Sequence, residues 1–100
     1  MNRIDLQNKL EEILGSRNVY FQPPESMKMN YPAIVYSRSG IKNDFANDKV
    51  YMQSYVYTVT VIDKDPDSEI TCKIAELQHC KFDRNFKSGN LNHDVFTLYF

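Results

Sequence analysis

Apolar residues recur every three or four positions near the start of the chain, which is the spacing of an amphipathic helix. The stripe consists of Leu6, Leu10, Ile13 and Leu14. Gly15 follows directly and suits a helix C-cap, because glycine adopts the left-handed conformation without steric penalty. The pattern predicts a helix from about Asn2 to Leu14 with one face packed on another element.

A second apolar stripe predicts another helix, which ends near Gln78. The residues of this stripe are Ile70, Ile74 and Leu77. Asp65 is the expected N-cap and Pro66 the expected first helical residue, because both residue types are favoured at those positions. Asp67 and Glu69 would complement the positive end of the helix dipole. We therefore interpret the acidic cluster around this helix start as capping.

Segments rich in β-branched and aromatic residues predict five strands. They span Val19–Gln22, Ala33–Ser39, about Val50–Ile62, about Cys80–Lys87 and Asp94–Phe100. The third and fifth carry apolar or β-branched residues on both faces, which favours central positions in a sheet. The fifth strand runs to the last residue, so Phe100 is expected to be paired in the sheet. Ser88 to His93 supplies turn residues between the last two strands.

The predicted element order is α-β-β-β-α-β-β within a single domain, residues 1–100. Short links between strands favour antiparallel pairing, and two amphipathic helices can cover one face of five strands. The fold class is therefore α+β with a mainly antiparallel sheet.

Seven tyrosines and six phenylalanines are many for one small core. Aromatic residues left outside a core usually mark a contact with another protein. The alternative is that the tyrosines line a half-exposed sheet with their hydroxyls in water.

The segment Ile41 to Gln53 has too many hydrophobic residues for a solvated turn, and they are too irregularly spaced for a core strand. We expect this segment to be a loop that is mobile in the free subunit and becomes ordered against a neighbouring protein, and an ordinary long hairpin loop is the alternative. The expected interface residues are Ile41, Phe45, Val50, Tyr51, Met52 and Tyr55.

Composition excludes several classes of protein. The formal net charge is −1, with 12 basic and 13 acidic residues, whereas gripping a nucleic-acid backbone requires a surplus of positive charge. No apolar run approaches the roughly 20 residues that cross a bilayer, and no signal-peptide core follows the start, so secretion is not expected. Cys72 and Cys80 would lie about 12 Å apart on one helix, too far for a disulfide, and two free thiols suit a reducing cytoplasm.

Cys80 is the candidate nucleophile, with His79 or the His93-Asp94 pair as possible partners. Side chains of adjacent residues point apart, so His79 is poorly placed to activate Cys80. The end of a helix also disfavours a thiolate. We expect Cys72 and Cys80 to be small buried residues and expect no enzymatic activity.

Two metal-binding patterns are incomplete. Cys72, His79, Cys80 and His93 lack the paired ligands, two to four residues apart, of structural zinc sites. Asp63-x-Asp65-x-Asp67 copies the opening of a calcium loop without its glycine and glutamate. No metal is expected.

Nucleic-acid and nucleotide patterns are also incomplete. The basic and aromatic residues of the fourth strand do not follow the RNA-binding order, so we expect a solvated strand face. Alternation predicts Phe82, Arg84 and Phe86 on one face, and Lys81 and Lys87 on the other. The three glycines form no phosphate-binding loop, and no cofactor is expected.

Three stretches resemble a family of small phage and prophage proteins from Gram-positive bacteria. They are Tyr31–Ser37 (YPAIVYS), Tyr57–Ser68 (YTVTVIDKDPDS) and Asn90–Tyr99 (NLNHDVFTLY). The similarity extends over most of the chain from Val19 onward, and the third stretch is the most specific. The family is that of tail-completion, or tail-terminator, proteins from the head–tail joining region of long-tailed phages.

This resemblance implies a structural virion protein that forms a ring, commonly of six copies. The ring would cap the tail tube, end its polymerisation and join the tail to the head. The implied partners are other copies of the chain, the tail-tube protein and the head-connector protein, while DNA passes through the lumen without specific binding. The implied location is the virion tail, and the host cytoplasm during assembly.

Two alternative functions stay open. One is another head–tail connector, such as a head-closure protein, and the other is a small thiol-dependent enzyme or regulator.

Overall fold

The structure is a computed structural model that describes residues 3–23, 28, 30–46, 49–65, 67–77 and 79–100. For residues 42–46 and 49–54 it describes the backbone alone. The elements are α1 (Arg3–Leu14), β1 (Val19–Phe21), β2 (Ala33–Ala46), β3 (Lys49–Asp63), α2 (Glu69–Ala75), β4 (Cys80–Ser88) and β5 (Leu91–Tyr99). This order confirms the predicted α+β fold.

The five strands form one sheet in the order β1-β2-β3-β5-β4. The first pair, β1 with β2, is parallel, and the other three neighbouring pairs are antiparallel. The prediction of a mainly antiparallel sheet is therefore confirmed. The chain end is also paired as expected, because Phe100 and Tyr55 exchange backbone hydrogen bonds of 2.9 and 3.0 Å.

The turn between β4 and β5 is shorter than predicted. Gly89 has a φ of +62° at the first of the two central positions, as a tight type II′ turn requires. Ser88 therefore lies opposite Leu91, and the predicted turn residues Leu91, Asn92 and His93 belong to β5.

Both helices contribute to a core on one face of the sheet. The buried cluster consists of Leu6, Leu10, Val19, Ile34, Tyr36, Tyr57, Val59, Val61, Ile74, Phe96 and Leu98. Strand alternation places the half-buried residues Val35, Ser37, Thr58, Thr60 and Thr97 on the opposite face. Within the described residues, no helix is long and apolar enough to span a bilayer.

The helix termini correct one prediction and confirm another. Gly15 caps α1 as expected, with a φ of +78° and a 2.9 Å bond from its N–H to the carbonyl of Glu11. The N-cap of α2 is Ser68, whose Oγ accepts a 3.3 Å hydrogen bond from the N–H of Ile70. The prediction of Asp65 as N-cap was wrong. Asn2, Pro66 and Gln78 were predicted in the helices and lie outside the described residues.

The acidic cluster before α2 forms turns instead of capping the helix. The Oδ1 atom of Asp63 accepts a 3.1 Å bond from the N–H of Asp65, and that of Asp65 accepts a 2.9 Å bond from the N–H of Asp67. Each carboxylate thus bonds the backbone two residues further on, which is the Asx-turn arrangement. Because of these turns, the helix begins at Glu69, later in the chain than predicted. Glu69 lies in the first helical turn, as predicted.

Asp94 ties α2 to two strands. Its Oδ2 accepts a 2.8 Å bond from Thr71 on α2, and its Oδ1 accepts a 2.6 Å bond from Asn85 on β4. The carboxylate is only 8% exposed, so these two donors replace much of its hydration.

We expect Asp94→Ala to lower the free energy of unfolding by about 1–3 kcal/mol, because both donors lose a charged acceptor. Urea unfolding followed by circular dichroism measures this change. Asp83→Ala, at an exposed position of β4, is the matched control and should change the stability by less than about 0.5 kcal/mol. Equal effects of the two substitutions would contradict the role given to Asp94.

Candidate functional site

The hairpin of β2 and β3 extends beyond the rest of the sheet. β1 pairs with β2 only from Ile34 to Tyr36, and β5 pairs with β3 only from Val56 to Asp63. Residues 42–46 pair with residues 49–54, and Ile41 pairs with Tyr55 at the base; we call the two-stranded ribbon of residues 41–46 and 49–54 the arm. No other strand pairs with it in the part of the chain that the structure describes. The molecule measures 50 × 24 × 23 Å, in keeping with such a projection.

The arm replaces the loop that was predicted from Ile41 to Gln53. Residues 41–46 and 49–53 are strand, so the prediction of a loop was wrong there, while Asn47 and Asp48 lie outside the described residues. The register of the hairpin shifts twice, between Arg38 and Gly40 and between Asp44 and Phe45. Each shift adds one residue to one strand, so the side chains beyond it lie on the opposite face from the one that simple alternation predicts. The spacing of the hydrophobic residues therefore looks irregular although the backbone pairing continues.

All six predicted interface residues lie on this hairpin. In the register, Ile41 lies opposite Tyr55, Phe45 opposite Val50, and Met52 opposite Asp44, with Tyr51 at the second register shift. Ile41 is 54% exposed and Tyr55 is half-buried at the base of the arm. The side chains of Phe45, Val50, Tyr51 and Met52 lie outside the description. The fold thus brings five of the predicted residues onto the arm and the sixth, Tyr55, to its base.

Arg38 occupies the root of the arm, which we define as the place where the hairpin leaves the sheet. Its guanidinium carbon lies 4.2 Å from the ring centroid of Tyr55 and 5.7 Å from that of Tyr57. Its Nη2 donates a 3.3 Å hydrogen bond to the Tyr57 hydroxyl, and this bond raises the pKa of Arg38. On the next residue, the Ser39 hydroxyl donates a 3.2 Å bond to the carbonyl of Val56.

An aromatic row connects this root to the core and to α1. Ring centroids are separated by 6.4 Å from Tyr55 to Tyr57, 5.9 Å from Tyr57 to Tyr36, and 4.9 Å from Tyr36 to Phe21. Arg3 of α1 covers the far end, 4.6 Å from the Phe21 ring. The row spans β1, β2 and β3 between two arginines.

Polar bonds hold the middle of the aromatic row. The buried hydroxyl of Tyr36 donates to Oε1 of Gln7 and accepts a 3.3 Å bond from Nη1 of Arg3. Burial raises the pKa of Tyr36, and the bond from Arg3 offsets part of that rise. Sequence reasoning missed Arg3 and Arg38, since one arginine at a helix start and another within a strand carry no distinctive pattern.

A second exposed region lies on β4, the last strand in the sheet order. Phe82 and Phe86 are 52% and 41% exposed. Phe82 lies opposite Phe96 in an edge-to-face contact of 5.4 Å, and Phe86 stacks on His93 at 4.6 Å.

The predicted alternation of β4 was wrong because of a register shift between Phe82 and Arg84. Alternation along β5 puts the partners of these two residues, Phe96 and Val95, on opposite faces. Phe82 therefore lies on the helix face, and Arg84 and Phe86 lie on the other. Lys81 and Lys87 are likewise on different faces, since their partners are Thr97 and Asn92.

Among the described residues, Cys80 and His93 are not brought together as a thiol and its base. Cys80 lies opposite Leu98, whereas His93 lies opposite Phe86, so alternation along β5 puts them on different faces. The Asp94 carboxylate bonds Thr71 and Asn85, and Nδ1 of His93 has no hydrogen-bond partner among the described residues. Burial raises the pKa of Cys80, which disfavours the thiolate.

Both cysteines are free, as predicted, but Cys72 is exposed and the expectation that it is buried was wrong. It lies on α2 two residues from Ile74, away from the buried stripe. Across the described ranges, no group of three or more histidine, cysteine, aspartate or glutamate residues could hold a metal ion.

Comparisons of this chain with protein-family models, with curated proteins and with solved structures found no match.

We expect Cys80 to react more slowly with iodoacetamide than Cys72 near neutral pH, because burial and a raised pKa keep its thiol protonated. Each rate is measured by mass spectrometry on a chain with the other cysteine replaced, Cys72→Ser or Cys80→Ser. The Cys80 rate should continue to rise with pH beyond the range in which an ordinary thiol has ionised. A fast, pH-independent reaction of Cys80 from below neutral pH would instead indicate a stabilised thiolate.

Proposed function

We propose that this chain is a structural subunit of a bacteriophage tail, which forms a ring of six copies. The ring caps the tail tube, ends its polymerisation and joins the tail to the head. The subunit acts by binding other copies of itself, the tail-tube protein and the head-connector protein. The arm is the observation that carries this proposal.

A two-stranded ribbon of this kind is poorly suited to stand alone. An isolated hairpin is marginally stable in water, and stability usually requires a third strand or packing on a helix. In the described structure the arm has neither, and the outer edges of its strands present backbone N–H and C=O groups that can pair with another chain. Contact with a neighbouring subunit or a tube end would pack against the arm and would pair the free backbone groups on the outer edges of its two strands.

A closed ring requires two different patches on each subunit, one for each neighbour. The arm supplies one patch. The outer edge of β4, with the exposed rings of Phe82 and Phe86, supplies a second on the far side of the sheet order. These two elements lie on separate strands, so both patches are available to different neighbours at once.

The resemblance to tail-completion proteins supports the biological setting. Tyr31–Ser37 leads into and begins β2, Tyr57–Ser68 covers the half of β3 within the sheet and the turns after it, and Asn90–Tyr99 covers β5. The resembling stretches therefore form the scaffold that supports the arm. A net charge of −1 also suits a lumen through which DNA must slide, because a strongly basic wall would retain it.

An arm-shortened chain tests the proposal, with residues 42–54 replaced by Asn-Gly, a sequence that favours tight hairpin turns, so that the paired residues Ile41 and Tyr55 flank the turn. We expect this chain to keep its helical circular dichroism signal and a cooperative unfolding transition, because the buried cluster lies outside the replaced segment. It should not form rings on purified tail tubes, measured by size-exclusion chromatography with light scattering, and growing tubes should stay uncapped. Lys9→Glu, at an exposed position of α1, is the control and should cap tubes like the unmodified chain.

Capping by the arm-shortened chain would contradict the role of the arm. If the unmodified chain binds isolated head connectors and not tubes, the tail-terminator assignment is wrong and a head-closure role replaces it.

A further inference from the structure

We infer that Arg38 is a positioning residue that holds the arm in one direction relative to the sheet, so that the arm is preorganised before it meets a partner. The inference rests on the proposed function only for what the arm binds. The contacts of Arg38 that support it are all within one subunit.

The direction of the arm depends on the hairpin segment from Arg38 to Gly40, where the pairing of β2 and β3 is irregular. The register shift between Arg38 and Gly40 adds one residue to β2, and such a bulge bends the strand and increases its twist. Gly40 allows a wider range of backbone angles than other residues. On the neighbouring strand, pairing with β5 ends at Val56, with the bonds between Tyr55 and Phe100 just beyond.

Arg38 contacts residues on both sides of this irregular segment, one in the core and one next to the arm. Its hydrogen bond ends on Tyr57, which is fully buried and packs against Tyr36 in the core. Its planar group stacks on Tyr55, the β3 residue next to the arm. One side chain therefore contacts both a rigid core residue and the first ring at the base of the arm.

Arginine suits this task better than lysine. Its guanidinium is planar, so it can stack on one ring while its edge donates to the hydroxyl of another. Holding the arm in its binding direction lowers the ordering cost of association, which strengthens binding without any new contact.

Hydrogen exchange on the free subunit tests the inference. In Arg38→Lys and in Tyr55→Leu, the amides of residues 41–46 and 49–54 should exchange about two- to five-fold faster, the factor expected for loss of an exposed cation–π contact. Amides of the core residues Val59, Val61 and Phe96 should keep their rates.

Two matched variants serve as controls. Tyr55→Phe keeps the ring under the guanidinium and should retain the exchange rates of the unmodified arm. Arg84→Lys makes the same change at the arginine over the Phe86 ring on β4, at 5.7 Å, and should leave the arm unaffected.

Unchanged arm exchange in both Arg38→Lys and Tyr55→Leu would overturn the inference. So would an equal rise in arm and core exchange, since Arg38 would then be a general stabiliser. If Arg38→Lys does not fold, the comparison of Tyr55→Leu with Tyr55→Phe decides the question.

Assembly on tail tubes provides the functional readout. Arg38→Lys should need about two- to five-fold more protein to cap tubes than Tyr55→Phe, in line with the change in exchange. Equal requirements would overturn the claim that preorganisation assists binding. If the unmodified chain does not bind tubes at all, the proposed function fails, whereas the exchange result still decides whether Arg38 holds the arm.

Discussion

The structure depends on a mismatch in length between one hairpin and the core beneath it. β2 and β3 contain 14 and 15 residues, whereas β5, which supports β3 from the other side, contains nine. Burial of the apolar residues of these strands against α1 and α2 stabilises the sheet. The buried cluster ends at Tyr57 in β3 and Tyr36 in β2. The chain beyond these residues has to be supported by other contacts.

The aromatic row is the link between the stable half of the hairpin and the arm. Tyr36 and Tyr57 are fully buried, and they pass contacts on to Tyr55 and Arg38, which lie at the surface. Side chains of this kind serve two purposes, because aromatic and arginine residues are also enriched at protein interfaces. The same groups that direct the arm are therefore suited to contact a partner that covers its base.

The sequence predicted the parts of the fold that depend on regular spacing. Leu6 and Leu10 indicated α1, and the β-branched run before Ile62 indicated the central strand. It did not predict the arm, because two register shifts break the alternation from which strands are recognised. The shift between Phe82 and Arg84 likewise placed on opposite faces residues of β4 that were expected to share one.

Local competition explains the remaining differences. Asp65 was a good N-cap candidate on residue type, but its carboxylate bonds Asp67 in a turn, and Ser68 takes the cap. The six interface residues were chosen from hydrophobic excess alone, and the register now places them on one hairpin. The sequence gives no sign of the role of Arg38, because its partners Tyr55 and Tyr57 are 17 and 19 positions away in the chain.

We propose that the arm is uncovered in the free subunit and covered when subunits assemble. The decisive experiment compares hydrogen exchange of residues 41–46 and 49–54 in the free chain and in rings on purified tail tubes. We predict strong additional protection of these amides upon assembly, with smaller changes at Val59 and Phe96. Equal protection of the arm in the two states would mean that the arm is not the element through which subunits assemble.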